Sequence, residues 1–162
     1  MIYTKNGDKG KSDLINKKGI SKSDIVFDVL GTVDELSAFL ALAKLMCSGD
    51  YFKNIEKIQA DLIKIGAACA GGNEFDFLGA ASELEDKIDD LKENCPSELV
   101  IYGKNEKSAR LDAARAVCRR CERILVKHCE ENGFTNYAVA YFNRLSDYLY
   151  ILARCFEKEE NK

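Results

Sequence analysis

Apolar residues recur through most of this chain at spacings of three and four, the period of one face of an α-helix. Ile55, Ile58, Leu62 and Ile65 follow it, as do Leu84, Ile88 and Leu91 after a Ser82-x-x-Glu85 capping box. Leu111, Ala114, Cys118, Cys121, Leu125 and His128 form a longer row, and Ala138, Tyr141, Leu145, Leu149, Leu152 and Phe156 another. Breakers sit between these rows. Thr32–Ser48, Asp50–Ile65, Lys104–Asn132 and Phe134–Lys162 contain no glycine, and the one proline is Pro96. The pattern predicts five helices near 24–47, 51–70, 81–94, 106–131 and 135–157, joined by short links into an all-α up-and-down bundle. Two stretches resist it: Tyr3–Ser23 reads as a loop and Gly71–Ala80 as a connection, and such departures are where function is sought.

With 162 residues, 46% hydrophobic and 31% charged, the chain supports one domain over 1–162 and excludes disorder. Apolar runs such as Ala38–Ala43 reach six residues against the roughly 20 of a membrane span, so no membrane partner is expected. Seven cysteines, with no apolar stretch behind the N-terminal lysines, predict free thiols, no secretory signal and a cytoplasmic location. The net charge of −3 hides an uneven distribution. Residues 1–22 hold six lysines and two aspartates, and residues 107–127 hold seven basic and two acidic groups. Two basic islands therefore sit in an acidic body, which would repel a polyanion, so nucleic acid is not expected as a partner. All seven arginines lie at or after position 110, and arginine offers the planar fork suited to phosphate.

The loop Thr4-Lys5-Asn6-Gly7-Asp8-Lys9-Gly10-Lys11-Ser12 combines small residues that let backbone N–H groups face an anion with lysines that neutralise it. It is not a Walker A loop, because Lys5 stands where that motif needs glycine. On the fourth helix Arg115, Arg119 and Glu122 share a stripe with Arg123 beside it, which fits either polyphosphate binding between helices or subunits or an internal salt-bridge ladder. Asn143, Ser146 and Asp147 make a polar face on the fifth helix, and an asparagine there could read a base or ribose edge. Cys118-x-x-Cys121 is half a zinc motif with no second pair, and His128 lies in the apolar row, so the thiols read as packing groups and no metal site is expected. No Cys/His or Ser/His pair suggests covalent catalysis.

Ile2–Gly10, Gly31-Thr32-Val33-Asp34-Glu35-Leu36, Arg115–Arg123 and Asn143-Arg144-Leu145-Ser146-Asp147 together resemble the PduO-type ATP:cob(I)alamin adenosyltransferases in content, order and spacing, across nearly the whole chain. The resemblance implies a five-helix bundle that forms a homotrimer, with ATP between subunits and cobalamin close by. It implies an ATP site built from Thr4, Lys5, Asn6, Gly7, Ser12, Asp13 and Lys22 of one subunit, with Arg119, Arg120, Glu122, Arg123 and Asn143 of its neighbour. Arg115 would pair with Asp34 across the interface, making Arg115, Arg119 and Asp34 the catalytic set. Cobalt of the reduced corrin would attack the 5′ carbon of ATP, with Mg²⁺ and the cations stabilising the leaving triphosphate.

The departures from that family cluster on the cobalamin side. Leu99-Val100-Ile101-Tyr102-Gly103-Lys104 stands where the family usually carries Phe-x-x-Pro-Gly-Gly, and Asp112 where it usually has histidine, which places Leu99 and Tyr102 beside the corrin. A rival reading is an ATP-sensing trimer of the same fold that has lost corrin turnover; a third is a structural trimer with neither ligand.

Overall fold

The computed structural model describes residue 3, residues 5–94, Pro96 and residues 99–159, with backbone only for residues 94 and 159. Five helices carry the chain: α1 (Ile25–Lys44), α2 (Gly49–Cys69), α3 (Phe77–Leu91), α4 (Glu106–Asn132) and α5 (Tyr137–Glu159). α1 packs on α2 and α4, α4 on α5, and α5 on α3. Side chains complete the bundle, since Lys57 of α2 meets Glu83 of α3 at 2.6 Å and Asn54 of α2 reaches the Tyr148 hydroxyl of α5. The axis is filled by Leu36, Leu40, Ile55, Leu62, Ile65, Leu111, Leu125, Leu145 and Leu149, all essentially without solvent contact.

The longest helix is α4, and it is tied at both ends. Asn105 accepts from the Ser108 N–H at 2.8 Å while its side-chain nitrogen donates to the Phe156 carbonyl of α5, fixing the start. Gly133, with φ +67°, ends it in the left-handed conformation that glycine adopts without strain. The predicted helix limits hold within a few residues except in α3. That helix starts at Phe77, where Asp76 accepts from the Gly79 N–H, so the Ser82–Glu85 pair lies inside the helix and caps nothing. The reason is tertiary: Phe75 and Phe77 stack edge-on with Tyr141 and Phe134 and draw the chain into a helical turn early.

The loop before α1 is more ordered than its composition suggests. Lys11–Ser12 (β1) pairs antiparallel with Ile20–Ser21 (β2), and Asp13 accepts from the Gly19 N–H at 2.8 Å to close the turn. The hairpin docks on the end of α2, where the Ile15 N–H donates to the Ala70 carbonyl and Asn16 covers Gly71. Gly71 has φ +84°, and a methyl there would sit 2.1 Å from the Asn16 side chain. Gly71→Ala is therefore expected to cost about 1–3 kcal/mol, read as a lower denaturant midpoint and faster proteolysis within residues 5–22.

Candidate functional site

The two basic islands occupy different parts of the fold. In the loop, Lys5 takes φ +61°, the Gly10 N–H donates to the Gly7 carbonyl, and the Lys22 side chain folds back over Gly7. A side chain at residue 7 would come within 2.8 Å of the Lys22 ammonium, so the glycine is what lets Lys22 lie close to the turn. Lys5, Asn6, Gly7 and Lys22 thus gather at one end of the bundle, while Ser12 and Asp13 belong to the hairpin that holds them there. Thr4 lies outside the described residues.

The arginine row follows α4. Arg115 donates to Asp112 at 3.4 Å, and Arg120 is ion-paired to Glu35 of α1. Arg123 donates to the carbonyl of Arg119 at 3.1 Å. Among the described residues Arg119 makes no ion pair, and it is exposed. The ladder open at the sequence level does not form, because Glu122 accepts from Asn143 of α5 at 3.2 Å, and Asn143 accepts in turn from Arg144. The result is one uncommitted guanidinium between fixed neighbours, with a Glu122–Asn143 pair alongside it. Asp147 is raised above the usual carboxylate range by partial desolvation, which Arg144 and Arg119 oppose, although its outer edge meets solvent.

No hydrogen bond or ion pair joins these two groups among the described residues. The loop docks at the C-terminal end of α4, where a cavity of about 190 Å³ lies between Leu14, Lys17, Asp24, Cys69 and His128. Arg119 lies nine residues before His128, about 13 Å along the axis at 1.5 Å per residue. Asp34 is exposed on α1, one residue from the Glu35 that holds Arg120, and it pairs with no cation among the described residues. A larger cavity, about 580 Å³, lies at the far end between Tyr51, Asn54, Lys87, Lys107 and Phe156 and contains none of the predicted site residues. Leu99 and Ile101 are almost fully exposed on the connector before α4, and Tyr102 is half-exposed.

Cys69, Cys118 and Cys121 are buried in the core. Burial pushes the thiols of Cys118 and Cys121 far up and that of Cys69 to about 12, so none is a thiolate near neutrality. Among the described residues no three metal-ligating side chains cluster. Sequence reasoning missed Arg154, which is buried at the end of α5 and ion-paired to Asp112. The available signal was an arginine directly after the apolar run Tyr148–Ala153.

A five-helix bundle with a lysine-bearing N-terminal loop and a surface row of arginines defines a helical class suited to an anionic ligand. Comparison with known proteins narrows it. The cobalamin adenosyltransferase family model matches residues 2–156. The human corrinoid adenosyltransferase MMAB is 37% identical over 169 residues, covering 94% of this chain and 67% of that protein. A corrinoid adenosyltransferase of Citrobacter freundii is 33% identical over 168 residues, covering 96% and 94%. A phenylalanine-to-histidine variant of the PduO-type ATP:corrinoid adenosyltransferase from Lactobacillus reuteri, solved with cobalamin and ATP, superposes with a TM-score of 0.92 at 29% identity, covering 99% and 93%. The chain belongs to the cobalamin adenosyltransferase family and is of the PduO type.

His128 sits beneath the loop, 5% exposed, with Nδ1 at 3.2 Å from the Asn132 amide. Burial lowers its pKa; Asp24 and Glu131 oppose that, and Lys17 adds to it. A base whose folded pKa is depressed is neutral in the native state, so its contribution is intact above the unfolded value of about 6.5 and lost as pH falls through the lower folded value. Melting temperatures measured from pH 7 to pH 5 should fall more steeply for the wild type than for His128→Gln.

Proposed function

We propose that this protein transfers the 5′-deoxyadenosyl group of ATP to cob(I)alamin, giving adenosylcobalamin and triphosphate, in a site shared between subunits of a homotrimer. The cobalt(I) electron pair forms the bond to the 5′ carbon, and the C5′–O bond breaks with its electrons leaving on the triphosphate. The protein holds the reactants in line and neutralises the departing charge. Lys5, Asn6, Gly7 and Lys22 contact the phosphates from one subunit. Arg119 and Arg123 close on them from the next, while Arg120 stays bound to Glu35. The Glu122–Asn143 pair offers polar edges to the nucleoside. Mg²⁺ would help Lys5, Lys22, Arg119 and Arg123 neutralise the departing triphosphate.

The observation that carries this reading is Arg119: an exposed guanidinium on a rigid helix that makes no ion pair among the described residues, while Arg115 and Arg120 on the same helix are ion-paired to Asp112 and Glu35. The separation of loop and arginine row supports a site completed by another copy. So do Leu42 and Leu45 exposed on α1 and Ile63 on α2, apolar surface that a subunit contact would cover. The unpaired thiols of Cys69, Cys118, Cys121 and Cys129 support a reducing, cytoplasmic setting. The exposed Leu99 and Ile101 favour one rival, an ATP-binding trimer without corrin turnover, for which ATP raises the melting temperature and cobalamin adds nothing.

The test is adenosyl transfer by purified protein with ATP, Mg²⁺ and chemically reduced cobalamin, followed by the corrin spectrum. Product formation is expected; ATP binding without product leaves the rival. Arg119→Ala should lower kcat/KM by about 10²–10³-fold with the melting temperature nearly unchanged, because the side chain is exposed and makes no ion pair among the described residues.

A further inference from the structure

Asp112 lies in the part of the chain that departs from the family pattern, yet it is no surface replacement. It is 6% exposed, and its two carboxylate oxygens hold different arginines. Oδ2 accepts from Nη2 of Arg154, and Oδ1 accepts from Nε of Arg115 at 3.4 Å. Arg154 comes from the last turns of α5, is 2% exposed, and makes a second ion pair to Glu157 at 3.2 Å. Tyr102, on the connector before α4, lies over both guanidiniums, 4.8 Å from that of Arg115 and 5.4 Å from that of Arg154. Tyr150 flanks Arg154 at 5.2 Å.

This arrangement is a poor way to gain stability. Arg154 carries five donor hydrogens, yet its Nε and Nη1 reach no hydrogen-bond partner among the described residues. Removing such a charge from water costs more than an incompletely paired guanidinium returns, and an apolar side chain of similar length would suit the core at least as well. What the arginine adds is direction. Held from behind, Asp112 cannot rotate, so the Nε side of Arg115 is fixed and its Nη nitrogens are left for a further acceptor. The ring of Tyr102 restrains the same guanidinium from the connector.

We propose that Arg154 and Asp112 are positioning residues that fix the guanidinium of Arg115 for the adenosyl-transfer site, with Tyr102 as the clamp. The proposal rests on the reading of the preceding subsection. It makes Asp112 part of a buried device that reaches from α5 through α4 to Arg115.

A double-mutant cycle tests it. Arg154→Lys keeps the charge but loses the planar fork, and Asp112→Asn keeps the shape but loses the charge. Each should lower kcat roughly tenfold while KM for ATP stays within about twofold, since misdirection of Arg115 spoils geometry and not nucleotide affinity. In an Arg115→Lys background neither change should reduce kcat further. Tyr102→Phe should behave as wild type, and Tyr102→Ala should resemble Arg154→Lys. Full kcat in a folded Arg154→Lys or Asp112→Asn variant overturns the proposal, as do losses that multiply with that of Arg115→Lys. A wild type with no transfer activity sinks the functional reading and the proposal with it, whereas an active wild type with indifferent variants sinks the proposal alone.

Discussion

The structure depends on the rigidity of α4. Its 27 residues, about 40 Å at 1.5 Å per residue, run without a breaker from the Asn105 cap to the Gly133 stop. One face packs on α1 and α5 through Leu111, Ala114, Cys118, Cys121 and Leu125. The other presents arginines that cannot drift, because their backbone is part of the core. A triphosphate concentrates negative charge that water solvates well, so a protein competes for it only with cations already in place. Arginines on a packed helix meet that condition, whereas lysines on a free terminus would not. The loop lysines are restrained differently, by a two-residue ladder and a docking contact at the end of α2.

That rigidity also separates the two cationic groups. The hairpin is anchored beside His128 and Asn132 and the arginine row lies further along the same helix, so on the proposed reading a single chain would present two half-sites. Among the described residues Arg119, Lys5 and Lys22 make no ion pair, and Leu42, Leu45 and Ile63 leave apolar surface exposed elsewhere on the bundle. Assembly would resolve both, since the contact that covers Leu42 and Leu45 can bring one loop to another chain's arginines. Ligand binding and assembly would then draw on the same surface.

The five helices were legible because glycine and proline punctuate the chain cleanly and the apolar rows keep a helical period. The start of α3 was not, because it is set by Phe75 and Phe77 packing on Tyr141 and Phe134, contacts between residues some sixty positions apart. The hairpin at Lys11–Ser12 and Ile20–Ser21 was too short for any alternation to show. Of the site residues, Arg115, Arg119 and Arg123 could be placed from helical spacing alone. Which of them is committed could not, because Glu35 and Arg154 reach α4 from distant parts of the sequence. Arg154 directly follows the apolar run Tyr148–Ala153, and only the fold places it against Asp112.

The most direct measurement of the central claim is subunit complementation. Lys22→Ala removes a loop cation and Arg119→Ala removes its counterpart on α4, so each variant alone should be nearly inactive. Mixed one to one and co-refolded, they should regain roughly a quarter of wild-type activity, because random assembly places an intact loop against an intact arginine at that fraction of interfaces. Activity that stays at the level of the separate variants, in mixed trimers verified by mass, would contradict the account, since a site contained within one chain cannot be repaired by its neighbour.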